Sequence, residues 1–297
     1  MQAPAKVNLC LSVKFPPVDG YHAIDSVFQT LDLHDTVEFE SCDASGAPDA
    51  VTKLGTPVAL ACGDLRISVR DNLVFKAVER AELACRAPFV APGQLLRISV
   101  DKRIPAGGGL GGGSSDAAAV LKAYAAAQGI EPLDGRLLEA ARGLGADVAF
   151  FLYGGAALMC GRGDVLQRRL PSFPLPLVLM GDAQGNSTAQ VYAAFDGRPA
   201  PAPDAFALAD ALEAGEEPAR LAELCANNLQ DAACEVGSAL AERIERAQAD
   251  PSVLGALVTG SGATSFAICA TRQDAERFAA RARAYCDWVR IACACES

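Results

Sequence analysis

The chemistry of this chain concentrates in Pro105-Ala106-Gly107-Gly108-Gly109-Leu110-Gly111-Gly112-Gly113-Ser114-Ser115, where six glycines fall within seven positions and two hydroxyls follow. Without side chains, the backbone N–H groups can close on a ligand. The residues that come next, Asp116-Ala117-Ala118-Ala119-Val120-Leu121, favour a helix. A glycine-rich loop feeding a helix N-terminus is an anion site, because unpaired N–H groups and the helix dipole both favour phosphate. Three familiar phosphate loops are excluded by context. Gly107, Gly109 and Gly112 meet the dinucleotide spacing, but Gln128-Gly129-Ile130-Glu131-Pro132 reads as a turn where that fold needs a strand ending in an acid. A P-loop ends in Gly-Lys-Ser/Thr, and this loop carries no lysine. The kinase-type glycine loop joins two strands, whereas this one opens a helix.

Four further stretches carry reactive or recognition groups. Lys6 and Asn8 share the polar face of an alternating segment whose other face holds Val7, Leu9, Leu11 and Val13. Asp19-Gly20-Tyr21-His22 sets an aromatic and a histidine at a turn, and Asp147 leads into the apolar run Val148-Ala149-Phe150-Phe151-Leu152. Thr259-Gly260-Ser261-Gly262-Ala263-Thr264 is a second turn of small residues. In this order the stretches resemble the GHMP kinase superfamily over 4–266. The long loop, the Pro4-Ala5-Lys6-Val7-Asn8-Leu9 start, the Asp19–His22 quartet and Gly145-Ala146-Asp147-Val148 resemble in particular the branch acting on 4-diphosphocytidyl-2-C-methyl-D-erythritol in the non-mevalonate isoprenoid route.

The resemblance implies transfer of the ATP γ-phosphoryl group to the tertiary 2-hydroxyl of that small molecule, with Mg²⁺ neutralising the phosphate oxygens. An alcohol nucleophile needs a proton acceptor, and Asp147 matches that position. Lys6 matches the cation that keeps Asp147 ionised and stabilises the transferring charge. From the residues alone, Asp147 also reads as a helix N-cap, and Lys6 as an edge-strand lysine with a solvated head. For ATP, the resemblance wraps 105–115 around the triphosphate and puts Asn72 and Lys102 near the adenine, although Asn72 equally reads as a helix cap. For the acceptor, Tyr21 and His22 match the residues that recognise cytosine, and Tyr192 matches a second aromatic. Asn8 and Thr188 match polar contacts, and Gly260, Ser261 and Gly262 form a turn facing the phosphates. No metal ligand is assigned; a hydroxyl such as Ser115, or water alone, could serve.

Two departures stand out: Ala149 where the family often has proline, and Asn227-Asn228-Leu229-Gln230 where it often has Asn-Asp-Leu-Glu. Two alternatives stay open. A GHMP kinase for another small alcohol would leave Tyr21, His22 and Tyr192 without a base to hold. A ligand-binding relative without activity would have no chemical need for both Lys6 and Asp147.

The elements that must position these groups alternate between strand and helix. Strands are expected at 6–14, 36–40, 65–70 and 95–102, while 43–64 shows no organised pattern. Helices are expected over 72–85, capped by Asp71 or Asn72, from the glycine loop to about residue 127, and over 135–144. The second half predicts strands at 156–160, 165–170 and 175–180, a proline-rich surface loop at 198–203, and helices at 221–233 and 238–249. A strand at 256–259, the small-residue turn, a strand at 265–269, a helix at 274–285 and a strand at 288–293 complete the chain. This order is α+β in two lobes: a mixed α/β nucleotide-binding domain at 1–155 and a C-terminal α+β domain at 156–297, which the resemblance makes ferredoxin-like.

Composition sets the frame. A net charge of −10 over 297 residues argues against a nucleic-acid partner held by phosphate neutralisation. The start is no signal peptide and no apolar run reaches membrane length, so a cytoplasmic monomer or weak homodimer is expected, with no membrane partner. The eleven cysteines are scattered without a C-x-x-C pair, which favours reduced thiols. With only His22 and His34, a histidine-rich metal centre is excluded.

Overall fold

A computed structural model describes all residues except 44–46, 64–66, 183–184 and 297. The chain opens with strands β1 (Gln2–Val13), β2 (Ile24–Asp43), β3 (Ala50–Val51) and β4 (Pro57–Cys62), then helix α1 (Leu73–Cys85) and strand β5 (Gln94–Asp101). Helices α2 (Gly112–Gln128), α3 (Gly135–Leu144) and α4 (Ala146–Tyr153) precede strands β6 (Ala156–Cys160), β7 (Val165–Leu170) and β8 (Leu177–Gly181). Next come helices α5 (Thr188–Gly197), α6 (Ala205–Ala214) and α7 (Pro218–Leu224), the short strand β9 (Ala226–Asn227), and helices α8 (Gln230–Val236) and α9 (Ser238–Gln248). Strands β10 (Gly255–Val258) and β11 (Ser265–Ile268), helix α10 (Arg272–Ala282) and strand β12 (Trp288–Ala292) finish the chain. Two compact units interleave along it. One comprises Met1–Ala5, His34–Ile104 and Gly111–Tyr153; the other comprises Lys6–Leu33, Pro105–Leu110 and Gly154–Ser297.

In the first unit, the later half of β2 runs antiparallel to β5, from Thr36 opposite Asp101 to Asp43 opposite Gln94, and β4 lies parallel to β5. Val37, Val58, Leu96 and Ile98 are buried on these strands, and α1 through α4 pack on one another. Phe89 links sheet to helices, with its ring 6.3 Å from Phe39 and 5.3 Å from Tyr124. Asn72 caps α1 by accepting from the Val74 N–H at 2.9 Å, and Asp134 caps α3 through the Arg136 N–H.

In the second unit, the early half of β2 pairs with β6, which forms a hairpin with β7, while β1 pairs in parallel with β9. A separate four-stranded antiparallel sheet has the order β10-β11-β8-β12. Numbered along the chain this is 2-3-1-4, the ferredoxin-like βαββαβ arrangement. Phe278 and Ala282 of α10, Ala247 of α9 and Val178 of β8 share its apolar core. Burying a side chain the size of Phe278 is worth about 1.5–3 kcal/mol.

Several expected elements change. The strand at 65–70 falls partly outside the described residues. Its remainder is a bend followed by a single 3-10 turn, Val69–Asp71, because Ser68 accepts from the Asp71 N–H. The region 43–64 contains β3 and β4. The helix at 221–233 is two helices parted by β9, since Asn227 and Asn228 spend their side chains on other segments. The strand at 36–40 is the end of a 20-residue strand, and Asp147 lies within a helix, α4, rather than at its cap.

Candidate active site

Strand β1 brings Lys6 and Asn8, both at least nine-tenths buried, into a polar cluster of the second unit. The Lys6 ammonium donates to Asn8 Oδ1 at 2.7 Å, and Asn8 Nδ2 donates to Ser26 Oγ at 2.9 Å, which donates in turn to the Cys10 carbonyl at 2.7 Å. Each member thereby has an acceptor for its proton, the condition for burying polar groups at low cost. The Lys6 backbone N–H donates to the Leu110 carbonyl at 2.9 Å, fixing the glycine loop's first half to β1. Asn8 N–H donates to Thr259 Oγ1 at 3.0 Å. A Cβ on Gly260 would lie 3.5 Å from Asn8 Oδ1, 3.8 Å from the Gly109 carbonyl and 3.9 Å from Lys6 Nζ. The structure therefore gathers Lys6, Asn8, Gly109, Leu110 and Gly260.

The loop's backbone explains its glycines. Gly109 has φ +76°, and a Cβ there would stand 2.9 Å from the Thr259 carbonyl oxygen, so neither conformation nor space admits a side chain. At Gly108, a Cβ would stand 2.5 Å from Thr264 Oγ1.

A second group of the same unit gathers aromatic rings around His22. The His22 ring is 5.3 Å from Tyr192 and 5.7 Å from Phe195. Its Nδ1 meets the Lys14 carbonyl oxygen at 2.7 Å and its Nε2 meets Asp196 Oδ1 at 3.0 Å, so both ring nitrogens face acceptors. Tyr21 is exposed, with the Arg162 guanidinium 4.0 Å from its ring centroid. Thr188, the first residue of α5, lies 2.9 Å from Ser261, oxygen to oxygen, tying α5 to the small-residue turn.

In the first unit, α2 begins at Gly112 after Gly111, whose φ is +74° and which provides no side-chain cap. The opening N–H groups of this long helix therefore have no side-chain cap from that position. Ser115 is buried, and its hydroxyl meets no partner among the described residues. Asp147 is the second residue of α4, half-buried in its first turn, where the helix dipole favours a carboxylate. Lys102 holds an ion pair with Asp35 and another with Asp116 at 2.7 Å. Burial lowers the Lys102 ammonium, but the two carboxylates outweigh it and its pKa rises. Burial pushes Asp116 up to about 6 against the pull of Lys102. The Asn72 side-chain oxygen is committed to capping α1.

Sequence reasoning passed over Ser26, Asp196 and Arg162, which no local pattern marks. In the departing segment, Asn228 and Gln230 stand where the family often has acids, while Asn227 keeps its asparagine, and both asparagine amides bind distant backbone. Asn227 Nδ2 donates to the Val258 and Gly260 carbonyls, both at 2.8 Å. Asn228 accepts from the Val13 N–H at 2.8 Å and donates to the Val13 carbonyl at 2.9 Å, extending the edge of β1.

Residues 72–155 match the GHMP kinases N terminal domain, and residues 208–287 match the GHMP kinases C terminal family. A 4-diphosphocytidyl-2-C-methyl-D-erythritol kinase of Pelotomaculum thermopropionicum is 39% identical over 95% of this chain and 92% of its own length. The chain belongs to the GHMP kinases. A GHMP kinase of the same description from Caulobacter sp. (strain K31) is 37% identical over 94% of this chain and 92% of its own length. The crystal structure of a 4-(cytidine 5'-diphospho)-2C-methyl-D-erythritol kinase superposes with a TM-score of 0.76 at 34% identity, covering 99% of each chain. L. major mevalonate kinase, at 16% identity and a TM-score of 0.69 over 100% of this chain and 95% of its own, shares the GHMP kinase fold. Among the described residues, no helix is long and apolar enough to cross a membrane.

Proposed function

We propose that this GHMP kinase transfers the γ-phosphoryl group of ATP to the 2-hydroxyl of 4-diphosphocytidyl-2-C-methyl-D-erythritol. The observation that carries this reading is buried Lys6, whose ammonium is held by Asn8 beside the Gly260 turn and whose backbone N–H bonds the Leu110 carbonyl midway along the glycine loop. A cation fixed there, with backbone N–H groups from 105–115, suits a triphosphate. In this reading Asp147 takes the hydroxyl proton as the acceptor oxygen bonds to the γ-phosphorus. The bond from that phosphorus to the β–γ bridging oxygen breaks, and ADP leaves. Lys6 stabilises the charge on the transferring group, and Asn72 lies toward the adenine, while the Lys102 ammonium is taken up by Asp35 and Asp116.

The names of the relatives support the acceptor, and so does the aromatic group. Cytosine would stack among Tyr21, His22 and Tyr192, with His22 held firm at both ring nitrogens. Asn8, Thr188 and the Gly260-Ser261-Gly262 turn offer polar contacts. Ser115, with its buried and unpartnered hydroxyl at the start of α2, fits an Mg²⁺ ligand. Bound there, Mg²⁺ would neutralise the β- and γ-oxygens. We place the reaction in the cytoplasm, which eleven unpaired cysteines suit, and in a monomer or weak homodimer.

The test is mass spectrometry of the acceptor after incubation with protein and Mg-ATP, run beside methylerythritol phosphate lacking the cytidylyl group. Phosphorylation of the full acceptor alone supports the reading. Equal phosphorylation of both removes the cytosine pocket, and phosphorylation of neither, with ATP still bound, removes the acceptor.

A further inference from the structure

We propose that Lys102 is a positioning residue whose ammonium fastens together the two ends of the glycine-rich loop, through Asp35 at one end and Asp116 at the other. This rests on the glycine loop being the ATP phosphate site. Asp35, fully buried on β2, accepts from the backbone N–H groups of Arg103 at 2.5 Å and Ile104 at 2.8 Å, the residues immediately before the loop. Its second carboxylate oxygen takes the Lys102 ammonium. The same ammonium donates at 2.7 Å to Asp116, the residue immediately after the loop and within the first turns of α2. A Cβ on Gly112 would stand 3.1 Å from Ile104 Cγ2 and 3.4 Å from Lys102 Nζ, so the start of α2 sits directly on this clasp.

Two ends separated by a run of glycines have much conformational freedom to lose on binding. A buried, charge-assisted clasp removes part of that cost beforehand, which is how preorganisation gains affinity. The clasp acts on the whole loop, so it aids any polyphosphate and is indifferent to the base. A lysine whose role is to touch adenine would do the opposite.

The experiment uses the full chain and two variants. Lys102→Met leaves two buried carboxylates without their cation. Asp116→Asn removes only the charge of the downstream arm, keeps the Lys102–Asp35 pair, and serves if the first variant fails to fold. Binding of inorganic tripolyphosphate and of ATP is measured by calorimetry, with KM and kcat for ATP and GTP. The expected result is a weakening on the order of tenfold for tripolyphosphate and ATP alike, as for one lost charge-assisted contact. The ATP-to-GTP preference should hold, and kcat at saturating ATP should largely hold. Unchanged tripolyphosphate binding in Asp116→Asn overturns the proposal, as does a change confined to the ATP-to-GTP preference. A wild-type chain that binds neither ATP nor tripolyphosphate overturns the phosphate-site reading instead, and with it this proposal.

Discussion

Replacing Gly108 by alanine tests the packing of the glycine loop against the small-residue turn within a single pair of side chains. Gly108 does not have a positive φ, unlike Gly107, Gly109 and Gly111, so its backbone accepts alanine and only space opposes it. The new Cβ would lie 2.5 Å from Thr264 Oγ1, which is 0.9 Å inside the 3.4 Å at which ordinary contact begins. Thr264 is fully buried and cannot swing into solvent. Overpacking of this kind costs about 1–3 kcal/mol. The loop takes that strain, so Gly108→Ala should raise the ATP dissociation constant about 5- to 100-fold, at about 1.4 kcal/mol per tenfold. Relief is available from the other side. The Thr264 hydroxyl meets no partner among the described residues, so Thr264→Ala forfeits no hydrogen bond there and leaves a space that the methyl group introduced by Gly108→Ala would fill. The double variant should bind ATP within about threefold of wild type, a coupling of about 1–2 kcal/mol. Calorimetric titration of all four proteins closes the cycle. A Gly108→Ala protein that binds normally, or a double variant no better than the single, would refute the reasoning.

Asp147→Asn should fold and bind ATP normally yet lose about 10²–10⁴ in kcat, the range for removing a general base; near-normal turnover would exclude Asp147 from that role. Burial holds Asp116 near 6, well above the ordinary 3.8, with Lys102 and Asp35 facing it. The folded chain therefore binds this proton more tightly than the unfolded chain, and its contribution to stability is lost as pH rises across that window. The Tm difference between Asp116→Asn and wild type, followed by calorimetry from about pH 4 to about pH 7, should shift in the variant's favour as pH rises. A flat difference would clear Asp116 of titrating there. Burial lifts the thiols of Cys10 and Cys269 to about 12, so neither should react with iodoacetamide at about pH 8 until the protein is denatured. Labelling of either in native protein, read by peptide mass, would contradict their burial.

Legibility in the sequence followed the physics of each segment. The glycine loop, the Asn72 cap and the closing strand–turn–strand–helix–strand series were visible because each depends on neighbours within a few positions. The early half of β2 was not. It is buried almost throughout, and Gln29 and Thr30 interrupt its apolar pattern with side chains that bond distant backbone. Helix α4 is only eight residues, buried on nearly every side from Val148 to Leu152, so it has no polar face to set a period. Helix α6 was hidden by the prolines before it, although Asp204, accepting from the Phe206 and Ala207 N–H groups, marks its start. Within the candidate site, residue types were readable and partners were not. Lys6 and Asn8 stand out on β1, but Ser26, Thr259 and Asn227 join them only through the folded chain.

The interleaving of the two units has a consequence for how such a protein can be inherited. The chain passes from one unit to the other after Ala5, Leu33, Ile104, Leu110 and Tyr153. A cut after Tyr153 would strand 6–33 and 105–110, with Lys6, Tyr21, His22 and half of the glycine loop, on a fragment to which they do not belong. Neither unit is therefore a cassette that a single crossover could exchange between relatives. Chimeras joined at that point should misassemble unless the parents already agree across both inserted segments, so recombination favours transmitting this chain whole and changing it by point substitution.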